Sequence, residues 1–260
     1  LHIDRRAPII RGSISAGEPA RREEAEACMP VQMVENRRLY RQIADQLEGL
    51  IGAGEFAPGD RLPPERDLAA KLGVSRATVR EAMIALEIGG LVDIRIGSGI
   101  YVTTTRKAEA AKDDPGPGPF ELIDARRAIE AGTAALAAVN ATGEELDAIA
   151  ENLAAMRVEQ NEKAGSWEAD RLFHLNIARA THNALLVRTV KELWDWREGP
   201  MWTRLHATLY LPDIHDRWLG DHERVLAALQ KRDPVAASAA MEAHLLGVKE
   251  MLLKAIADNG

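Results

Sequence analysis

Asp170 and His174 stand four residues apart, and two more histidines, His222 and His244, follow at long range. On a helix, residues four apart share a face, so Asp170 and His174 can point at a common centre. Three imidazoles and one carboxylate make a sound ligand set for zinc, nickel or a similar divalent ion. Spacing links only the first pair, and histidines scattered over helix surfaces are the bland alternative. A second group with chemical potential lies earlier: Ser75, Arg76, Thr78 and Arg80, with the two arginines also four apart. On one exposed helix face such donors reach the phosphates and base edges of a duplex. A helical hairpin with a solvated arginine pair is the alternative.

The elements that would carry the arginines can be read locally. Arg66 to Leu72 has Leu68, Ala69 and Leu72 at helical spacing, after Pro63 and Pro64. Gly73 should end that helix in a left-handed conformation, Val74 should be a buried pivot, and Ser75 should cap the next helix. Ala77, Val79, Ala82, Met83 and Leu86 form the apolar face of this second helix, and Gly89-Gly90 ends it. Leu91 to Ile96 alternates apolar and polar residues, Gly97-Ser98-Gly99 turns the chain, and Ile100-Tyr101-Val102 returns. Such a hairpin is a wing whose glycines let the backbone approach a phosphate or minor groove. Leu39 to Ile51 is an amphipathic opening helix, and Phe56-Ala57-Pro58-Gly59-Asp60 leads out of it. Residues 37–106 are thus expected to form a winged helix-turn-helix domain.

The histidines belong to a different region. Residues 107–119 end in Asp-Asp-Pro-Gly-Pro-Gly-Pro, a composition read as an interdomain linker. Residues 120–260 read as an antiparallel all-helical bundle. Its expected helices are Phe120–Asn140, Gly143–Lys163, Trp167–Thr181, Ala184–Tyr210, Ile214–Lys231 and Pro234–Ile256. Thr142 with Glu145 forms a capping box, Ser166 caps the third helix, and Asp233 caps the last ahead of Pro234. Residues 1–36 mix Arg and Glu without periodicity and are expected to be a disordered arm. The chain begins with Leu1, so Met29 or Met33 is a possible translation start.

Charge separates the same regions. The net charge is −7, yet residues 37–106 hold ten Lys/Arg against nine Asp/Glu. Residues 107–260 hold eighteen against twenty-five, so the acidity belongs to the bundle. Phosphate binding by the head must therefore rest on local placement of arginines. A single cysteine, Cys28, forms no internal disulfide and fits a reducing cytosol. No apolar run reaches the ~20 residues of a membrane helix, so a cytoplasmic protein with no membrane role is expected.

Several motifs in order resemble the GntR family of bacterial regulators: Pro58-Gly59-Asp60-Arg61-Leu62-Pro63-Pro64-Glu65-Arg66, the run Gly73 to Ala82, and Gly97-Ser98-Gly99-Ile100-Tyr101-Val102. The resemblance implies that Arg66, Arg76 and Arg80 contact DNA, supported by Ser75, Thr78 and Gly97. Asp170 to His174, Asp221-His222 and Met241 to His244 are similar to the FCD effector domain of the FadR-type branch. Its metal-containing members use one Asp and three His, which implies metal ligation by Asp170, His174, His222 and His244. It also implies that Arg126 contacts an effector carboxylate, with Glu130 a packing residue or a partner behind a ligand. The segments Gly118–Arg126, Glu192–Trp194, Arg204–His206 and Asp221–Leu229 resemble the hexuronate-responsive regulators.

The expectation is a homodimeric repressor of a sugar-acid (hexuronate or aldonate) catabolic operon. It would bind double-stranded operator DNA and leave it when a small carboxylic acid enters a pocket holding a divalent metal, zinc by preference. Trp194, Trp196 and Trp202 could stack on a sugar ring, although core packing suits them better, and His206 could donate to a hydroxyl or equally well sit on a helix surface. Two other readings remain. One is a constitutive DNA-binding protein with a structural metal. The other is a metal enzyme with a facial triad, against which His244 counts because it fills a position that oxygen chemistry needs.

Overall fold

A computed structural model describes residues 38–103, 115–162, 167–208 and 214–258. The expectations for the arm at 1–36, for Ser166 as a cap and for most of the linker fall outside them.

The head consists of α1 (Leu39–Gly52), α2 (Glu65–Leu72), α3 (Arg76–Ile88), β1 (Val92–Arg95) and β2 (Gly99–Val102). Gly73 closes α2 at φ 68°, and Ser75 Oγ accepts the Thr78 amide as the cap of α3. Antiparallel pairing sets Val92 against Val102 and Ile94 against Ile100, all four side chains buried. The tip turns through Gly97, at φ 71°. Val74 is only partly buried, packed against the head's core and not within it.

Among the described residues seven helices follow: α4 (Pro119–Asn140), α5 (Gly143–Glu162), α6 (Glu168–Arg179), α7 (Ala184–Arg197), α8 (Pro200–Thr208), α9 (Ile214–Gln230) and α10 (Pro234–Asp258). The Thr142/Glu145 capping box forms in both directions, and Asp233 accepts from the Val235 and Ala236 amides. Two expectations need correction. The single span Ala184–Tyr210 is two helices, because Gly199-Pro200 breaks the ladder and Pro200 restarts it at the first position of α8. Pro119 is likewise the first residue of α4 and not the last of a linker.

Nor is the end of the linker a free tether. Tyr40 on α1 donates to the Gly116 carbonyl at 2.5 Å, and Gly118 lies so close to the Glu81 carboxyl that a Cβ there would push the carboxyl aside. The head's core continues into Phe120, Leu122 and Ile123 of α4, Met201, Trp202 and Leu205 of α8, and Leu252 and Ile256 of α10. A second core joins α4, α5, α6, α9 and α10 around Ile149, Phe173, Val225, Leu229 and Met241. The histidines sit in its wall.

Candidate metal centre

Asp170 and His174 come from α6, His222 from α9 and His244 from α10, all of them buried. One ligand atom from each can be chosen so that all four lie within 4.8 Å of one another. A hydrophobic core holds its own polar groups only when they are paired, and four such side chains facing one point are suited to share a common partner.

The hydrogen bonds behind the cluster show which ring nitrogens are turned toward it. Glu130 on α4 holds His174 Nδ1, and the Trp218 carbonyl accepts from His222 Nδ1 at 2.8 Å. Carboxylates and carbonyls only accept, so both Nδ1 atoms carry a proton, and a neutral ring then keeps its lone pair on Nε2. Those lone pairs face Asp170 Oδ1, at 2.9 Å from His222 and 3.4 Å from His174. Lone pairs directed at a carboxylate oxygen require a cation or a proton between them. His174 Nε2 and His244 Nδ1 are also buried without a hydrogen bond. The donor set therefore fits a divalent ion of the zinc or nickel type.

Electrostatics agree. Burial opposes the charge on Asp170, but Arg197, His174 and His222 outweigh it and hold the carboxyl well below its ordinary range. At Glu130 burial is likewise outweighed, by Arg126 and His174, and the carboxyl is held at about 2. Burial disfavours charge on His174 too, yet Glu130 and Asp170 push its pKa up. His244 goes the other way: burial and the neighbouring His222 and His174 keep it neutral, as a ligand must be.

Arg126 lies beside this cluster. Its Nε donates to Glu130 Oε1 at 2.6 Å, its guanidinium sits 4.2 Å from the centre of the Trp194 ring, and its Nη2 is buried without a partner. Arg197, at the end of α7, escaped the sequence reading. It pairs with Asp170 Oδ2 at 3.0 Å and lies over Trp167, Trp194 and Trp202 at 4.9, 4.6 and 5.2 Å. The tryptophans divide accordingly. Trp194 and Trp202 are buried, whereas Trp196 is 42% exposed. His206 meets the edge of Trp167 at 5.3 Å.

In the head, Arg66 is exposed beside Asp67, Thr78 Oγ1 is 2.8 Å from Ser75 Oγ, and Gly97 lies in the open turn of the wing. Arg76 is half-buried and donates through Nη2 to the Ile256 carbonyl on α10 at 2.7 Å. The expectation that Arg80 shares an exposed face with Arg76 is not met. Arg80 is buried and pairs with Glu65 at 2.8 Å, because nearly every position of α3 from Ala77 to Leu86 is covered. Sequence reasoning also missed Glu81, whose carboxyl accepts the Phe120 amide at 3.0 Å, and Glu87, which takes two bonds from Arg204 on α8. Each pairs with a residue more than thirty positions away, which no local pattern indicates.

Comparison with known proteins agrees with both halves. Residues 39–102 match the bacterial regulatory proteins of the gntR family, and residues 121–247 match the FCD domain. The Uxu operon transcriptional regulator of Escherichia coli K12 is 43% identical over 230 residues, spanning 84% of this chain and 88% of that protein. The Uxu operon regulator of Haemophilus influenzae is 37% identical over 220 residues, spanning 84% and 83%. The Exu regulon transcriptional regulator of E. coli K12 is 38% identical over 235 residues, spanning 88% and 90%. The matches fall among transcriptional regulators and not enzymes, and they cover the head and the bundle together. The chain belongs to the GntR family of bacterial transcriptional regulators, with a gntR-type head and an FCD domain.

Proposed function

We infer that this chain represses a sugar-acid catabolic operon, of the hexuronate or aldonate class, and leaves its operator when the acid binds the FCD pocket. The observation that carries the reading is the convergence of Asp170, His174, His222 and His244 beside the buried donors of Arg126. A divalent ion there, zinc by preference, would supply Lewis acidity for a carboxylate and its adjacent hydroxyl. Arg126 would grip a carboxylate oxygen, while Glu130 fixes the tautomer of His174. The Uxu and Exu relatives support hexuronates as the acid.

The helices that line the pocket also touch α3. Helix α4 carries Arg126 and Glu130, and Glu81 of α3 caps its first turn. Helix α10 carries His244, and its Ile256 carbonyl holds Arg76. An acid that shifts α4 or α10 therefore acts on the helix assigned to read DNA, and its differential affinity for two such arrangements is the coupling energy. To read a base edge, Arg76 must leave α10. A homodimer would present two heads to a two-fold symmetric site.

Operator binding by fluorescence anisotropy, on a duplex selected from random sequence, tests this. D-galacturonate or D-glucuronate should weaken binding, and Arg76→Ala should cost ~1–3 kcal/mol on the selected duplex. DNA affinity unmoved by millimolar acid would leave the constitutive reading with a structural ion. Gly118→Ala tests the route, because a Cβ there displaces Glu81 from α4. Its metal content should stay normal while the acid response shrinks several-fold; an unchanged response would remove Glu81 from the path.

A further inference from the structure

Arg197 has one strong partner and more capacity than that partner uses. Its side chain is 10% exposed, and among the described residues its ion pair reaches Asp170 Oδ2. Its Nε is buried without a partner, as are Arg126 Nη2 and Trp194 Nε1. The guanidiniums of Arg126 and Arg197 both lie over the Trp194 ring, at 4.2 and 4.6 Å. These orphaned donors therefore belong to one neighbourhood. A buried donor without an acceptor costs stability unless a ligand supplies one.

Charge counting makes the same demand. Arg126 is offset by Glu130, and Arg197 by Asp170. A divalent ion would add positive charge that these two pairs do not cancel. Three buried donors here lack an acceptor oxygen: Arg126 Nη2, Arg197 Nε and Trp194 Nε1.

We propose that Arg197 is a second effector-binding residue, which takes a hydroxyl or ring oxygen of a polyhydroxy acid whose carboxylate end is held by the ion and Arg126. Oxygen counting separates long acids from short ones. Glycolate has three oxygens, and the ion and Arg126 use all of them. A six-carbon sugar acid has further hydroxyls, and Arg197 Nε and Trp194 Nε1 are the orphaned donors left to meet them. The site then prefers hexuronates and aldonates to short hydroxy acids because of Arg197. A site built to hydrogen-bond an oxygen discriminates strongly against a ligand that lacks it.

The inference rests on the reading of this bundle as an acid-binding pocket, so the experiment separates the two. Isothermal titration calorimetry on the zinc-loaded full chain would compare D-galacturonate, D-glucuronate, D-gluconate and glycolate, with zinc content measured alongside. Arg197→Lys keeps the charge beside Asp170 but loses Nε, and Arg197→Gln loses both. Both variants should weaken the six-carbon acids by about 10- to 100-fold, with glycolate held within about twofold. Zinc content should not change. If glycolate and the long acids weaken together, or zinc falls with them, Arg197 only positions Asp170 and the proposal is overturned. Unchanged affinities overturn it as well. A wild-type chain that binds D-gluconate but no hexuronate sinks the hexuronate reading alone, with Arg197 still judged on D-gluconate. A chain that binds none of the six-carbon acids sinks both.

Discussion

Removing the divalent ion with a chelator is expected to lower the melting temperature by roughly 8–16 °C. A ligand present at a thousand times its dissociation constant stabilises the folded state by about 4 kcal/mol. Domains of this size shift by about 2–4 °C for each kcal/mol. The direction follows from the pairing around Asp170. Once the ion is gone, the Nε2 lone pairs of His174 and His222 face the Asp170 carboxylate with nothing between them. One imidazole must then take up a proton in a buried position. His174 is the one whose charged form its surroundings favour, so the apo protein should gain stability as pH falls through the raised His174 pKa. His222→Ala should lose metal content and lose sensitivity to chelator together. Differential scanning calorimetry with and without EDTA reads the effect. A melting temperature that chelator leaves unmoved, in a protein purified without metal, would make the cluster a plain hydrogen-bonded core.

The ease of reading this chain varied with the range of the interaction. Ser75 as a cap, Gly73 in the left-handed region and the Thr142/Glu145 box all depend on neighbours within four residues, and all were legible. The metal set was legible only in part. Asp170 and His174 share a helix face by spacing, but His222 and His244 join them through packing of α6, α9 and α10, which no local pattern encodes. Resemblance to the FCD domain supplied that step. Arg80 was misread because its spacing from Arg76 suggested one surface, whereas α3 is covered almost all round and turns Arg80 toward Glu65. Arg197 was missed because it fell in the middle of the single helix expected over Ala184–Tyr210, where nothing singled it out. Its spacing of three from Trp194 was the available signal, since that places a guanidinium over an indole on one helix face.

Arg126→Met should destabilise the protein by about 3–5 kcal/mol at neutral pH, even though methionine keeps apolar contact with Trp194. The cost arises at Glu130. Its carboxyl is 2% exposed, and it keeps its charge against burial through Arg126 and His174. Taking one partner from a buried ion pair leaves the other uncompensated, and that is worse than losing both. The pH dependence gives the sign. With Glu130 held at about 2 in the fold and an ordinary value of 4.5, its contribution is fully present above pH 4.5. It is lost as pH falls from 4.5 toward 2, and amounts to on the order of 3 kcal/mol. The gap between wild type and Arg126→Met should therefore be wide in urea melts at pH 7 and much narrower at pH 3. Arg126→Met with Glu130→Gln removes the buried charge but leaves an amide oxygen for His174 Nδ1. This double variant should recover much of the stability while acid binding stays lost. A gap that persists unchanged at pH 3, or a double variant as unstable as the single, would mean that Arg126 stabilises the fold through its stacking on Trp194 and not through Glu130.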